Sequence, residues 1–120
     1  MYQLISKDMR HDSDIKPQWY QILLALADGP RHGLGIRDEV LRQTDGRMRL
    51  WPAMLYGSLR RMEEEGFIAE TASDGLGSDT DRRRFYQLTS GGRRALAAET
   101  AALAAYVAVA KAKNVALPGH

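Results

Sequence analysis

At Gly66 the apolar residues of this sequence change period, and that change narrows the folds open to the chain more than any other feature. Before it, three segments repeat their apolar positions at helical spacing. Trp19, Ile22, Leu23 and Leu26 follow Pro17, a residue favoured in the first turn of a helix because its missing N–H would be unpaired there; Asp28-Gly29-Pro30 stops the pattern. Ile36, Val40 and Leu41 form a second segment, opened by a turn at Gly33 and Gly35 and closed by Thr44-Asp45-Gly46. Leu55, Leu59 and Met62 form the third, which starts at Pro52 and ends with Gly66 as its C-terminal cap; Met48 to Leu50 reads as a short strand ahead of it. After Gly66 the period falls to two. Phe67 to Ala72 reads as a strand, Ser73 to Asp81 as a polar loop, and Arg82 to Leu88 as a returning strand with Arg84, Tyr86 and Leu88 on one face. From Thr89 the chain is alanine-rich. Leu96, Leu103, Ala110 and Leu117 recur there every seven residues with Tyr106 and Val107 between them, the seam expected of a long helix that packs on another helix.

The expected organisation is an N-terminal arm over 1–16, a folded domain over 17–89 and a C-terminal helix over 90–117, in a mainly α chain of the α+β kind. A length of 120 residues with 44% hydrophobic composition supports one core and is too small for two. With no cysteine, disulfides, thiolate metal sites and cysteine nucleophiles are excluded. The histidines are His11, His32 and His120, too scattered to suggest a metal cluster or a catalytic triad. Gly33-Leu34-Gly35 lacks the preceding strand and the third glycine of a dinucleotide loop, and Asp74, Asp79 and Asp81 miss calcium-loop spacing. The chain is therefore expected not to be an enzyme, and no cofactor or metal is expected. The apolar runs Ile22 to Ala27 and Ala101 to Ala110 fall short of the roughly 20 residues that cross a bilayer, and the N-terminus has no apolar signal core. A soluble, cytoplasmic protein without a membrane partner is the expectation. The net charge of +2 says little, but its placement says more: no acid interrupts the stretch from Arg82 to Ala98, which carries Arg82, Arg83, Arg84, Arg93 and Arg94.

Three short helices followed by a two-stranded hairpin is the order of a winged helix-turn-helix, in which the third helix enters the DNA major groove and the hairpin is the wing. Such a helix must have one face locked into the core so that the other presents its groups without first ordering them. With Leu55, Leu59 and Met62 inward, the outward face carries Ala53, Tyr56, Gly57, Arg60 and Arg61. Small Ala53 and Gly57 allow close approach, Tyr56 can reach a phosphate, and Arg60 can bond a guanine or clamp a phosphate. Glu63, Glu64 and Glu65 sit at the far end of the helix, and salt bridges along it to Glu64 and Glu65 are the competing explanation for Arg60 and Arg61. Arg82 and Arg83, where the chain leaves the wing loop, offer a second contact with phosphates or a minor groove, against the alternative of a solvated strand face.

Ile22 to Leu26 followed by His32-Gly33, then Met54-Leu55-Tyr56, Leu59 to Ile68, and Arg83-Arg84-Phe85-Tyr86-Gln87-Leu88-Thr89 with Gly92, resemble the PadR-like transcriptional regulators over about residues 20 to 95. The resemblance implies a homodimer built on the C-terminal helix, two wings, repression through an inverted repeat of double-stranded DNA, and contact of the Leu55-Tyr56 helix with that DNA. The expected dimer residues are Leu96, Leu103, Tyr106, Val107 and Ala110. PadR-like proteins can also bind planar hydrophobic effectors at the dimer interface, for which Trp19, Tyr20 and Tyr106 are the candidates here, against the alternative that they are ordinary core aromatics. Two departures stand out. At the start of helix three Trp51 occupies the place of an oxygen-bearing cap and is expected to pack as an aromatic wedge, against the alternative that it touches DNA or ligand, and Met54 replaces a hydroxyl residue before the Leu-Tyr pair. The N-terminal arm is longer than the resemblance implies, with packing on the partner subunit as its expected role. The rival to the regulator reading is a winged helix used only for protein contacts, which would need no arginines on helix three or the wing.

Overall fold

The computed structural model describes residues 15–71 and 84–118, and within them four helices surround a small three-stranded sheet. Helix α1 (Pro17–Ala25) starts with proline inside its first turn and buries Trp19, Ile22 and Leu23, with Leu26 buried just beyond its end. Strand β1 (Arg31–His32) leads directly into α2 (Gly33–Gln43), because His32 caps that helix: its Nδ1 accepts the Gly35 N–H at 3.1 Å. Helix α2 buries Ile36 and Val40 and ends at Thr44, whose buried hydroxyl donates to the Val40 carbonyl at 2.9 Å and accepts the Met48 N–H at 3.0 Å. Helix α3 (Pro52–Glu64) buries Leu55, Ser58, Leu59 and Met62. It closes at Gly66, whose φ of 82° only glycine adopts cheaply; the Phe67 N–H returns to the Met62 carbonyl and the Gly66 N–H to that of Glu63.

The hairpin follows as β2 (Ile68–Thr71) and β3 (Phe85–Leu88), antiparallel, with Ile68 opposite Leu88 and Thr71 opposite Phe85. Strand β1 adds to the other side of β3, giving the order β1-β3-β2. The third strand is thus Arg31–His32, and the strand expected over Met48 to Leu50 does not form. The Met48 N–H that would enter a ladder is taken by Thr44, so the segment runs as a tight connection. The loop expected over Ser73 to Asp81, with Arg82 and Arg83, and the arm up to residue 14 lie outside the described residues.

Helix α4 (Ser90–Ala112) begins under the hairpin, where the Thr89 hydroxyl accepts the Gly92 N–H and donates to the Gly66 carbonyl. Gly92 lies so close to β2 that a Cβ there would stand 2.0 Å from the Phe67 carbonyl oxygen. The first half of α4 packs on α1: Leu96 joins the core, and the Tyr20 hydroxyl bonds that of Thr100 at 2.8 Å. The core formed by these elements is continuous, running from Trp19 through Ile36, Leu50, Leu55 and Tyr86 to Leu96. By length and composition alone α4 is long and apolar enough to cross a membrane, although Ala101 to Ala110 read as too short, because alanines extend its apolar character well beyond that run.

Candidate nucleic-acid interface

Helix α3 is fixed from beneath by Leu55, Leu59 and Met62, each at most 1% exposed, so its outward face is held rigidly. That face carries the residues singled out from the sequence: Ala53, Tyr56, Gly57, Arg60 and Arg61 are all exposed. Gly57 has ordinary helical geometry and open space where a side chain would be. The salt bridges offered as the competing role for Arg60 and Arg61 are not made. Ion pairs among the described residues join Arg31 to Asp28 and Glu39, Arg37 to Asp38, Arg42 to Glu39 and Arg84 to Glu70. Arg47, Arg49, Arg60 and Arg61 have no carboxylate partner among the described residues.

Two shallow depressions flank this face. On one side Tyr56 lies with Gly33, Leu34, Arg84 and Tyr86 around a hollow of about 320 Å³. The Tyr56 hydroxyl rests against the backbone of Gly33, 2.7 Å from where a Cβ would stand, so the start of α2 must be glycine for the tyrosine to hold that position. Burial pushes the Tyr86 phenol above its ordinary value, with the Arg84 hydrogen bond pulling the other way, so it stays neutral beside the Arg84 guanidinium. Gly33 and Arg84 were not picked out as site residues from the sequence. On the other side Lys16, Gln18, Ala53, Met54, Gly57 and Arg61 line a groove of about 280 Å³ between α1 and α3.

Three expectations need correcting. Trp51 does not wedge into the fold: it is 61% exposed, with the Arg49 guanidinium 5.6 Å above its ring, while its neighbours Leu50 and Leu55 are the residues buried in the core there. Leu96, expected at a dimer seam, belongs to the core of its own chain, and the large exposed apolar residues of α4 begin at Leu103 and continue through Tyr106, Val107 and Val109, with Ala110 half-buried. Trp19, offered for an effector pocket, is a core residue packed edge-on against Phe67, with ring centroids 6.2 Å apart, while Tyr20 is half-buried and bonded to Thr100. Tyr106 is 65% exposed, so the three aromatics do not enclose a cavity within one chain.

The sequence model of the family described as "Transcriptional regulator PadR-like family" matches residues 22–98, from the middle of α1 into α4. The chain belongs to the PadR-like family. Among solved structures it is similar to a PadR family transcription regulator from Clostridium difficile R20291, with 25% identity, a TM-score of 0.59 and coverage of 78% of this chain and 95% of that one. It is also similar to Bacillus subtilis PadR, solved in complex with operator DNA, at 25% identity and a TM-score of 0.55, covering 64% of this chain and 42% of that one. RosR of H. salinarum, at 22% identity and a TM-score of 0.63 over 78% of this chain and 77% of that one, shares the fold. A curated relative, an uncharacterised 37.1 kDa protein in transposon TN4556 of Streptomyces fradiae, is 37% identical over 83 residues. Those residues are 69% of this PadR-like chain and 22% of the relative, so the chain spans about a fifth of that protein's length. The fold of the PadR-like chain is the winged helix, with α2 and α3 as the turn motif, β2 and β3 as the wing and α4 as the C-terminal helix.

Proposed function

We propose that this chain is a transcriptional repressor that binds a pseudo-palindromic site on double-stranded DNA as a homodimer. The observation that carries the proposal is the outward face of α3: a rigid helix with small Ala53 and Gly57 at its exposed surface and Arg60 and Arg61 without carboxylate partners among the described residues. Membership of a family of transcriptional regulators supports it, as does likeness to a PadR solved with operator DNA. In this reading α3 lies in the major groove, Tyr56 and Arg84 hold a backbone phosphate at the hollow beside Gly33, and Arg60 and Arg61 bond bases or phosphates. Arg82 and Arg83, outside the described residues, extend the contact from the wing.

The dimer forms through the second half of α4, where Leu103, Tyr106, Val107 and Ala110 meet the same residues of a second copy. Apolar exposure over that length favours a helix partner, and a two-fold axis there sets two α3 helices about 34 Å apart, one turn of DNA. Occupying a promoter in this way blocks transcription, in the compartment that holds the DNA. A small hydrophobic effector bound at the seam, against Tyr106 and the rim of Tyr20, would release DNA if it favoured a different spacing of the two helices; buried Trp19 takes no part.

The test is an anisotropy titration of the full chain against its own upstream region and a random duplex, at two salt concentrations, with Tyr56→Ala and Arg60→Ala beside the wild type. Saturable binding that falls steeply with salt is expected, each variant weakening it by about 1–3 kcal/mol while keeping the wild type's oligomeric state. If the protein has no affinity for any duplex at low salt, the repressor reading fails and a winged helix used for protein contacts replaces it.

A further inference from the structure

Resting on the reading of α3 as the helix in the major groove, the first two turns of that helix have an unusual property: they hold no charged or amide side chain to hydrogen-bond a base edge. Pro52, Ala53, Met54 and Gly57 have no polar side-chain atoms that donate. Ser58 is buried, and the Tyr56 hydroxyl, on an exposed side chain beside Gly33, is the one assigned above to a phosphate. The first charged donor on the outward face is Arg60, about 12 Å from the start of the helix at 1.5 Å per residue. A recognition helix meets base edges mainly through its N-terminal residues, and here those residues offer apolar surface: Trp51 is 61% and Met54 42% exposed.

We infer that this chain reads its operator by apolar contact, with Met54 and Trp51 packing on the C5-methyl groups of thymines in the major groove. The thymine methyl is the one apolar group a base pair presents there, and it is the feature that the apolar surface of Met54 and Trp51 can distinguish. The surroundings suit DNA as the occupant of this apolar tip, because Arg49 lies over Trp51 and Arg61 lines a groove with Met54, both without carboxylate partners among the described residues. Arg49 is stacked over Trp51, which brings a cation to the edge of the apolar surface, as a phosphate-flanked groove requires. An apolar protein partner would be poorly served by those two cations beside the apolar surface.

The experiment takes a duplex recovered from a randomised pool by affinity selection on the full chain at low salt. Each thymine is replaced in turn by deoxyuridine, which removes the methyl group alone. At one or more thymines in each half-site the wild type is expected to lose about three- to fivefold in affinity, the worth of one buried methyl. Met54→Ala or Trp51→Ala is expected to abolish that loss at a given thymine, while Met54→Leu, which keeps an apolar side chain, retains it. Both residues are exposed, so circular dichroism is expected to find each variant folded as the wild type is. Saturable binding that is indifferent to deoxyuridine everywhere, or sensitivity unchanged in both alanine variants, overturns the inference and leaves the regulator reading standing. Recovery of no duplex at all overturns both.

Discussion

Gly57→Ala is expected to make this protein more stable and worse at binding DNA, and the two effects come from the same methyl group. Gly57 lies inside α3 with ordinary helical backbone geometry, and a Cβ built there meets nothing within 4 Å. The folded chain therefore accepts alanine without strain, and the loss of glycine's backbone freedom in the unfolded state stabilises the fold by about 0.5–1 kcal/mol. For a chain of this size that is a rise in Tm of about 2–5 °C. In the proposed complex the same open space is where the duplex comes closest to the helix axis. A methyl placed there forces α3 to withdraw or tilt, with the 1–3 kcal/mol cost typical of overfilling a packed contact, or about 5- to 150-fold in Kd. Thermal melting followed by circular dichroism measures the first effect and fluorescence anisotropy at constant salt the second. A higher Tm with unchanged affinity would refute the close approach at Gly57, and a lower Tm would refute the account of the helix itself.

Gly92→Ala is the opposite case. Helix propensity favours alanine by about 1 kcal/mol, but a Cβ 2.0 Å from the Phe67 carbonyl oxygen must move more than 1 Å, so α4 is expected to part from β2 and the melt to fall by several degrees; an unchanged or higher Tm would count against that packing. At the other end of α4, Leu103→Asp is expected to turn the dimer into a monomer at micromolar concentration with the fold intact, since a carboxylate at an apolar seam weakens association at least about a hundredfold. Light scattering reads the state directly, and a wild type that is already monomeric would remove the proposed seam.

Most of the fold was legible because three helical stripes and a shift to period two each have a physical cause confined to a few neighbouring residues. The buried residues Ile22, Leu23, Ile36, Val40, Leu55, Leu59 and Met62 were all read from spacing. Strand β1 was not legible, because two residues are too few to display a period, and Arg31–His32 is a strand only through β3 and the cap that His32 places on α2. Met48 to Leu50 misled for the opposite reason. Met48 is half-buried, Arg49 exposed and Leu50 buried, which imitates strand alternation, but the Thr44 hydroxyl consumes the N–H that a ladder would need. In the candidate site, Tyr56 and Arg60 could be read from the helix on which they stand. The meeting of Tyr56 with Gly33 and Arg84 depends on three elements coming together, and no local pattern records it.

The sharpest limit on what spacing can say lies in α4. Leu96, Leu103, Ala110 and Leu117 recur every seven residues, and such a repeat states that one face of a helix is apolar without stating what covers it. The structure divides that face between two surfaces. Leu96 is buried by its own chain, near the point where Tyr20 bonds Thr100, whereas from Leu103 onward the stripe lies open and Leu117 falls beyond the helix end. In the proposed dimer, a helix rooted in the winged domain at one end and apolar and uncovered at the other would carry a rotation at the partner surface to α1. The close approach of Gly92 to Phe67 would carry it also to the base of the wing. If two chains join at the open half, a change of angle there moves both α3 helices along the DNA. An effector needs no contact with α3 to alter binding, only a preference for one angle over the other.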